Sequence, residues 1–481
     1  MRNNSLFFNI IIFNIILCLV YYAYSGYDAL ILVDVLIIIM GICYAIRIKN
    51  GSTVFILFLL TFNTFMLSNV TLKLLSGEQW LSDYSDIIRK SVVQMLTLSL
   101  IGLLVGAAIY NCTRRKGIQV IKSGNIFGRS DYIGGVQKFA TVLFYISIIL
   151  KFLQTLDVGL NTLQESYVAY YLSYSSSIPY PIQLIGNMNI VAFCTLFATN
   201  KNREKMGLPI FLFMLVSCVS LLGGQRNIFV LDIIMLGYCM IFANTRALRN
   251  GEKAWITKKM KILVYLLIPF SLILMTAIGS IRYGNSYNMG AVEAIRSFFE
   301  SQGTQVNVIA LVVEYRNAIW HQAVPYTFGS LYYYITQNGI AELLGVPQFA
   351  SLYSKAYAFT GNSLGTTLFY FLSPNSLLAG KGMGSCYIAE LYYDFGYWGV
   401  FIGNTLLGYA LFQLGNMQAN RIWWSNVLIF IIVRWIVYIP RASCLTWLIN
   451  ALSVTNLTTL IIIAFSGKLI QLSIRRGNRR C

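Results

Sequence analysis

Long apolar segments recur along the chain, and they constrain its fold more than any other feature. A helix needs about twenty apolar residues to cross the hydrocarbon core of a bilayer, which is ~30 Å thick. Segments of this length lie at 6–24, 29–46, 53–71, 92–110, 139–157, 182–199, 208–223, 227–244, 262–279, 393–414, 422–439 and 443–466. The pattern predicts an all-α integral membrane protein with about twelve transmembrane helices.

The charged residues are few and mostly basic. Only 11% of the residues are charged, and the formal net charge is +19. The Lys and Arg residues form short clusters between the apolar segments instead of one basic face, which argues against a nucleic-acid-binding domain. Basic residues are enriched in cytoplasmic loops. With the N-terminus placed in the cytoplasm, the basic clusters fall in every cytoplasmic loop, so both termini are predicted to be cytoplasmic.

This topology divides the chain into three regions. Residues 1–279 are predicted to form transmembrane helices one to nine. Residues 280–391 form a large loop on the far side of the membrane, between helices nine and ten. Residues 392–481 form helices ten to twelve and a basic cytoplasmic tail.

The large loop is expected to be structured, because loops of this length without secondary structure are uncommon in ordered proteins. Ala291–Gln302 is predicted to be a helix that pairs Glu293 with Arg296 at i,i+3. Val306–Trp320 is a mostly apolar run that also favours a helix. Surface-lying or re-entrant helices are therefore expected here.

Arginines on the predicted outer side are candidate binding residues. Charged residues at the depth or rim of a membrane are functional candidates, because their burial is costly. A guanidinium group binds phosphate oxygens through two parallel hydrogen bonds and stays charged at neutral pH. The alternative for each arginine is pairing with a glutamate or a lipid headgroup. The outer arginines are Arg226, Arg282, Arg296, Arg316, Arg434 and Arg441.

Glu390 and His321 are the candidate proton acceptors. His321 is the only histidine of the chain; it is either a base for a hydroxyl nucleophile or an ordinary hydrogen-bonding residue. Glu390 lies near the predicted start of helix ten, and it is either a general base or the counter-ion of an arginine. A single histidine and nine scattered cysteines without zinc-ligand spacing predict no metal site.

A separate group of ionisable residues lies inside predicted membrane helices: Asp34, Lys151 and Asp232. They form either a proton relay, as in a transporter, or pairs that help the helices to pack. The tyrosines of the large loop also have two interpretations. Their rings stack on sugars, or they lie at the membrane interface, where aromatic residues are common.

Two motifs and the overall layout resemble those of the bacterial O-antigen and oligosaccharide repeat-unit polymerases, the Wzy family. The layout is a set of about twelve helices with a large, late outer loop. The chain differs from the family at Gln225, where a second basic residue is common. The motifs are Gly223-Gly224-Gln225-Arg226-Asn227, and Gly382-Met383-Gly384-Ser385 through Ala389-Glu390-Leu391-Tyr392 to Phe395-Gly396-Tyr397-Trp398-Gly399.

The resemblance implies a GT-C-like fold and a glycosyltransferase in the bacterial inner membrane. Such an enzyme joins undecaprenyl-diphosphate-linked oligosaccharide repeat units into polysaccharide at the periplasmic face, without a cofactor. A flippase and a chain-length regulator are its expected partners. An O-antigen ligase and a flippase or transporter of lipid-linked oligosaccharides are the alternative functions. On this basis Glu390 and His321 are the expected catalytic residues, and the diphosphate and sugar would be bound by Arg226, Arg282, Arg316, Arg296 and Arg441.

Overall fold

The computed structural model describes most of the chain, and every regular element in the described part is a helix. The described residues are 13–15, 17–19, 21–22, 26–47, 52–114, 130–165, 176–200, 202–224, 226–282, 288–416 and 422–477. In chain order the helices after residue 26 are α1 (Tyr27–Arg47), α2 (Thr53–Leu75, with a π turn at Asn63–Leu67), α3 (Asp86–Arg114), α4 (Ser130–Glu165), α5 (Tyr180–Asn187), α6 (Asn189–Thr199), α7 (Gly207–Val219), α8 (Arg226–Arg249), α9 (Lys258–Arg282), α10 (Ala291–Gln302), α11 (Val306–Tyr315), α12 (Gly329–Thr336), α13 (Gly339–Leu343), α14 (Lys355–Thr360), α15 (Leu364–Leu372), α16 (Pro374–Leu378), α17 (Tyr387–Asn416), α18 (Trp423–Ile436), α19 (Thr446–Ala451) and α20 (Val454–Gly477).

Eight helical stretches in the described part are long and apolar enough to cross a membrane. They coincide with eight of the segments predicted from the sequence. Three further predicted segments correspond to α7, to α17 and to the shorter apolar helix α18. The remaining prediction, at 6–24, lies largely outside the described residues. The eight stretches are Tyr27–Arg47, Thr53–Leu75, Asp86–Thr113, Asp131–Thr162, Tyr180–Thr199, Arg226–Arg249, Lys258–Gly279 and Thr446–Arg476.

The chain forms two compact units. The first unit contains the described residues of Met1–Gln119, Arg296–Met417 and Ile436–Ile449. The second unit contains those of Val120–Ile295, Gln418–Trp435 and Asn450–Cys481. Helices α1–α3, α11–α17 and most of α10 therefore belong to the first unit.

Glycines hold the two longest helices of the first unit together. A β-carbon at Gly106 of α3 would overlap the carbonyl oxygen of Thr405 of α17. A β-carbon at Gly408 of α17 would overlap the carbonyl oxygen of Leu103. Small residues let apolar helices approach backbone to backbone, where van der Waals contact and not hydrophobicity drives their packing. This seam fixes α17, the helix that carries Glu390.

The predicted large loop consists mainly of short helices, as expected. The predicted helix Ala291–Gln302 is confirmed, whereas the helix from Val306 ends at Tyr315 and not at Trp320. Side-chain caps start three of the short helices, because a cap oxygen satisfies backbone N–H groups that have no partner within the helix. The caps are Asn338, Ser354 and Ser363.

Candidate functional site

The first turns of α17 carry the main candidate site of the first unit. We call Tyr387–Phe395 the Glu390 segment. It ends at Gly396, whose φ of 63° and ψ of −157° interrupt the helix. Only glycine adopts this backbone region without strain. The Glu390 segment is therefore a short helical piece with its own direction, ahead of the apolar part of α17.

The Glu390 carboxylate is buried and held by hydrogen bonds. The side chain is 1% exposed. Ser385 Oγ donates to Oε1 at 2.6 Å, and the backbone N–H of Cys444 donates to Oε2 at 2.8 Å. Burial raises the pKa of Glu390 to about 7, although the hydrogen bonds from Ser385 and Cys444 act in the opposite direction. A carboxyl group with this pKa suits proton transfer at neutral pH.

No Lys or Arg side chain of the described residues lies within ion-pair distance of Glu390. The interpretation of Glu390 as an arginine counter-ion therefore has no ion pair to support it. The other interpretation, a proton acceptor, fits a carboxyl group that forms no ion pair with a described Lys or Arg.

Ser385 links the buried Glu390 to the surface, because Ser385 is half-buried and its hydroxyl group is hydrogen-bonded to the Glu390 carboxylate. Its position depends on Gly365 in α15, where a β-carbon would lie 2.8 Å from the carbonyl oxygen of Met383. Gln305 Nε2 is 3.5 Å from the carbonyl oxygen of Ser385. Ser385 lies in the second sequence motif, but no role was predicted for it. One sequence signal could have identified it: Ser385 lies just before a helix that carries an acidic residue, Glu390, in its first turn.

Arg441 lies in a short 3-10 turn, Ile439–Arg441, three residues before Cys444. Its Nη1 donates to Gln302 Oε1, and its guanidinium lies 5.7 Å from the centre of the Phe65 ring. Gln302 is a neutral partner, so the arginine is oriented while its positive charge is kept. Gln302 was missed from the sequence, because it is far from Arg441 along the chain and no local pattern links them.

Arg316 and His321 both contact Tyr393, in the Glu390 segment. Arg316 Nη2 donates to the carbonyl oxygen of Tyr393 at 3.2 Å, and its guanidinium lies 4.8 Å from the centre of the Tyr392 ring. The exposed His321 ring is 5.2 Å from the ring of Tyr393. Asp394, next in the segment, accepts hydrogen bonds from Tyr326 and Thr327. The structure thus gathers Glu390, Arg316 and His321 around one helical segment.

Arg296 differs from Arg316 and Arg441, because carboxylates already balance its charge. Its Nε lies 2.7 Å from Glu300 Oε1, and its Nη2 lies 3.3 Å from Glu78 Oε1. The i,i+4 partner Glu300 takes the place of Glu293, the partner predicted from the sequence. This pairing was one of the two interpretations given to each outer arginine.

Arg226 and Arg282 belong to the second unit. Arg226 begins α8, and its Nη1 donates to the carbonyl oxygen of Met275 at 3.0 Å. A β-carbon at Gly279 would lie 2.6 Å from the same nitrogen, so Gly279 makes room for the guanidinium. Arg282 is the last residue of α9, and its side chain lies outside the described part.

The second unit also contains a buried ion pair. Arg434 of α18 binds Asp232 of α8 through Nε at 2.9 Å and Nη2 at 2.8 Å. Ser217 Oγ donates to the other oxygen of Asp232 at 2.7 Å. Asp232 is thus committed to Arg434, while Asp34 is fully buried in the first unit. Of the two interpretations of the intramembrane residues, pairing describes Asp232.

No three His, Cys, Asp or Glu side chains converge among the described residues. The site of the first unit is instead built from one buried carboxyl group, hydroxyl groups and two arginines that have no acidic partner in the described part of the chain.

An all-helical chain with eight apolar stretches of membrane-crossing length is a multi-pass membrane protein. The chain belongs to the family described as O-antigen polysaccharide polymerase Wzy, whose model matches residues 5–471. The family predicted from the sequence is confirmed. Membership implies a polymerising glycosyltransferase activity on lipid-linked oligosaccharides in a membrane. Neither a curated protein nor a solved structure matches the chain.

Proposed function

We propose that the protein joins undecaprenyl-diphosphate-linked oligosaccharide repeat units into O-antigen at the periplasmic face of the inner membrane. One observation of the structure supports this most. The Glu390 carboxylate accepts a hydrogen bond from the backbone N–H of Cys444, which lies three residues after Arg441. Glu390, a proton acceptor, is therefore held next to the segment of Arg441, an arginine that pairs with the neutral Gln302. Glycosyl transfer from a diphosphate needs these two groups: one receives a proton, and one stabilises the leaving anion.

The proposed reaction forms one glycosidic bond and breaks one bond to phosphate. A hydroxyl oxygen of the acceptor sugar attacks the anomeric carbon of the donor. The bond from that carbon to the diphosphate oxygen breaks, and its electron pair stays on the diphosphate. Arg441 and Arg316 stabilise this negative charge, because neither is neutralised by a carboxylate among the described residues.

The proton of the attacking hydroxyl leaves through Ser385. The acceptor hydroxyl gives its proton to Ser385 Oγ, and the Ser385 proton passes to Glu390 over the 2.6 Å hydrogen bond. Glu390 then releases the proton to solvent by the reverse relay once the product has left. His321 is the alternative base, since it is exposed beside Tyr393. In the second unit, Arg226 and Arg282 are assigned to binding of the lipid-linked substrate.

The topology proposed with this function has both termini in the cytoplasm and region 280–391 in the periplasm. The basic clusters support it, since they fall in alternate loops. A flippase would supply the repeat units, and a chain-length regulator would act on the polymer. Tyr392 and Tyr393, which contact Arg316 and His321, are themselves buried, so they position these side chains.

Gel analysis of surface polysaccharide tests the proposal. In a strain that lacks the gene, the ladder of O-antigen lengths should collapse to a core that bears one repeat unit. The Arg226→Ala variant should be expressed and inserted, yet should not restore the ladder. Loss of the single-unit band as well would indicate a flippase or ligase instead. An unchanged ladder in the deletion strain would rule out the proposed function.

A further inference from the structure

Among the described residues, Lys151 is a cation of the second unit that has no acidic partner. It lies on α4, inside the apolar stretch Asp131–Thr162. Its Nζ is 2.7 Å from Asn187 Oδ1 and 3.5 Å from Gln154 Oε1. These are neutral amide oxygens, and no carboxylate of the described residues lies within ion-pair distance of Lys151. Its ammonium group is hydrogen-bonded, but its charge is not balanced by an ion pair.

The nearby charges do not supply the missing balance. Asp232 and Arg434 both act electrostatically on Lys151, with opposite signs. Because Arg434 and Asp232 are bonded to each other, their effects on a third charge largely cancel. The next acidic residue along α4, Asp157, accepts hydrogen bonds from Ser176 and Ser177 instead. One positive charge therefore remains in an apolar stretch, where an unbalanced charge is costly.

Helices α4 and α5 pack closely beside Lys151, and the side chain of Lys151 is accessible from the surface. Gly186 lets α5 approach α4, because a β-carbon there would lie 2.9 Å from the side-chain carbonyl carbon of Gln154. Gln154 is fixed by a 3.1 Å hydrogen bond from its Nε2 to the carbonyl oxygen of Ile182. Lys151 is only half-buried, and Asn187 is exposed. A ligand can therefore reach the ammonium group from the surface of the unit.

We propose that Lys151 and Asn187 form a binding site for the phosphate group of a lipid. A phosphate oxygen would accept from Lys151 Nζ, and Asn187 Nδ2 would donate a second hydrogen bond. The anion would balance the charge that the protein leaves unbalanced. The site rests on the proposed function and deepens it: its ligand is the diphosphate of the acceptor, the second polyprenyl-linked repeat unit, and a phospholipid headgroup is the other source of the same chemistry.

The test measures lipid binding by the purified full-length protein in detergent. The probes are undecaprenyl diphosphate and phosphatidylglycerol, and the variants are Lys151→Met, Lys151→Arg and the control Lys138→Met, an exposed lysine on the same helix. Lys151→Met should weaken binding of undecaprenyl diphosphate about tenfold, the loss expected for one charge-assisted hydrogen bond. Lys151→Arg should retain most of the affinity, and Lys138→Met should change nothing.

Thermal unfolding without lipid separates binding from a structural role. If the Lys151 charge is unbalanced in the empty protein, Lys151→Met should leave the melting temperature unchanged or higher, because an apolar side chain replaces a charge that has no ion pair in an apolar stretch. Weaker binding of phosphatidylglycerol alone would support the site and identify a headgroup as its ligand. Unchanged binding of both probes, or a large fall in melting temperature for Lys151→Met, would overturn the proposal.

The outcome does not depend on polymer synthesis. Should the O-antigen ladder survive deletion of the gene, the proposed function fails, whereas lipid binding by Lys151 is still measured on the purified protein. If the function stands, cells with Lys151→Met should accumulate the single-unit band. Loss of that band would instead indicate transport of the repeat unit and would overturn the assignment of Lys151 to the polymerase substrate.

Discussion

Arg434 in the second unit and Arg441 in the first lie close together in sequence, yet their environments differ in kind. Arg434 is bound through two nitrogens to Asp232, and both side chains are less than a tenth exposed. Arg441 is bound to the neutral amide of Gln302 and lies over an aromatic ring. A carboxylate cancels the charge of an arginine, whereas an amide orients the arginine and leaves the charge available. Arg434 therefore stabilises its unit, and Arg441 is suited to bind an anion.

The largest effect is expected from breaking the Asp232–Arg434 pair. Asp232→Asn should lower the stability of the protein by about 3–5 kcal/mol, because it leaves the Arg434 charge buried without a partner. The double variant Asp232→Asn/Arg434→Gln should recover much of this loss. Thermal unfolding in detergent measures both. If Asp232→Asn is as stable as the wild-type protein, the Asp232–Arg434 pair does not stabilise the second unit, and the contrast with Arg441 fails.

Arg441→Ala should leave stability nearly unchanged and reduce the rate of polymerisation about 10²–10³-fold, as for loss of one preorganised group that stabilises a developing anion. The rate is measured with lipid-linked repeat units and purified protein. Arg296→Ala is the matched control, because Glu300 and Glu78 already balance that arginine. If Arg441→Ala and Arg296→Ala lower the rate equally, pairing with a carboxylate does not decide which arginine acts in the reaction.

Glu390 should give polymerisation a pH dependence. Its pKa of about 7 means that the carboxyl group loses its proton as pH rises through neutrality. The rate of the wild-type protein should therefore rise between about pH 6 and about pH 8, because only the carboxylate accepts a proton. Glu390→Gln should be about 10²-fold slower, without this rise. A variant that keeps the wild-type pH profile would show that another base, such as His321, receives the proton.

The sequence predicted the apolar helices well, since membrane length and helical rise fix their size and each signal is local. Helix Ala291–Gln302 was predicted from the helical i,i+3 spacing of its charges, which is also a local signal. The end of α11 at Tyr315 was missed, because the apolar residues Ala318-Ile319-Trp320 follow the polar pair Arg316-Asn317 and favour a longer helix. The break at Gly396 depends on one backbone conformation, which a hydropathy pattern does not contain.

The candidate site was predicted in its residue types but not in its contacts. Glu390, Arg316 and Arg441 stood out because charges are rare in such a chain. Their partners did not, since Gln302 and Ser385 are ordinary polar residues whose roles come from tertiary packing. The ion pairs also needed the structure: sequence spacing favoured Glu293 as the partner of Arg296, and Glu300 is the partner found.

The glycine seam between α3 and α17 also restricts the paths open to lipid. At Gly106 and Gly408 the two backbones approach so closely that a β-carbon has no room. A lipid tail is wider than a methyl group, so it cannot pass between the helices at this level. A lipid-linked substrate that enters or leaves the first unit from the side therefore has to pass between other helices.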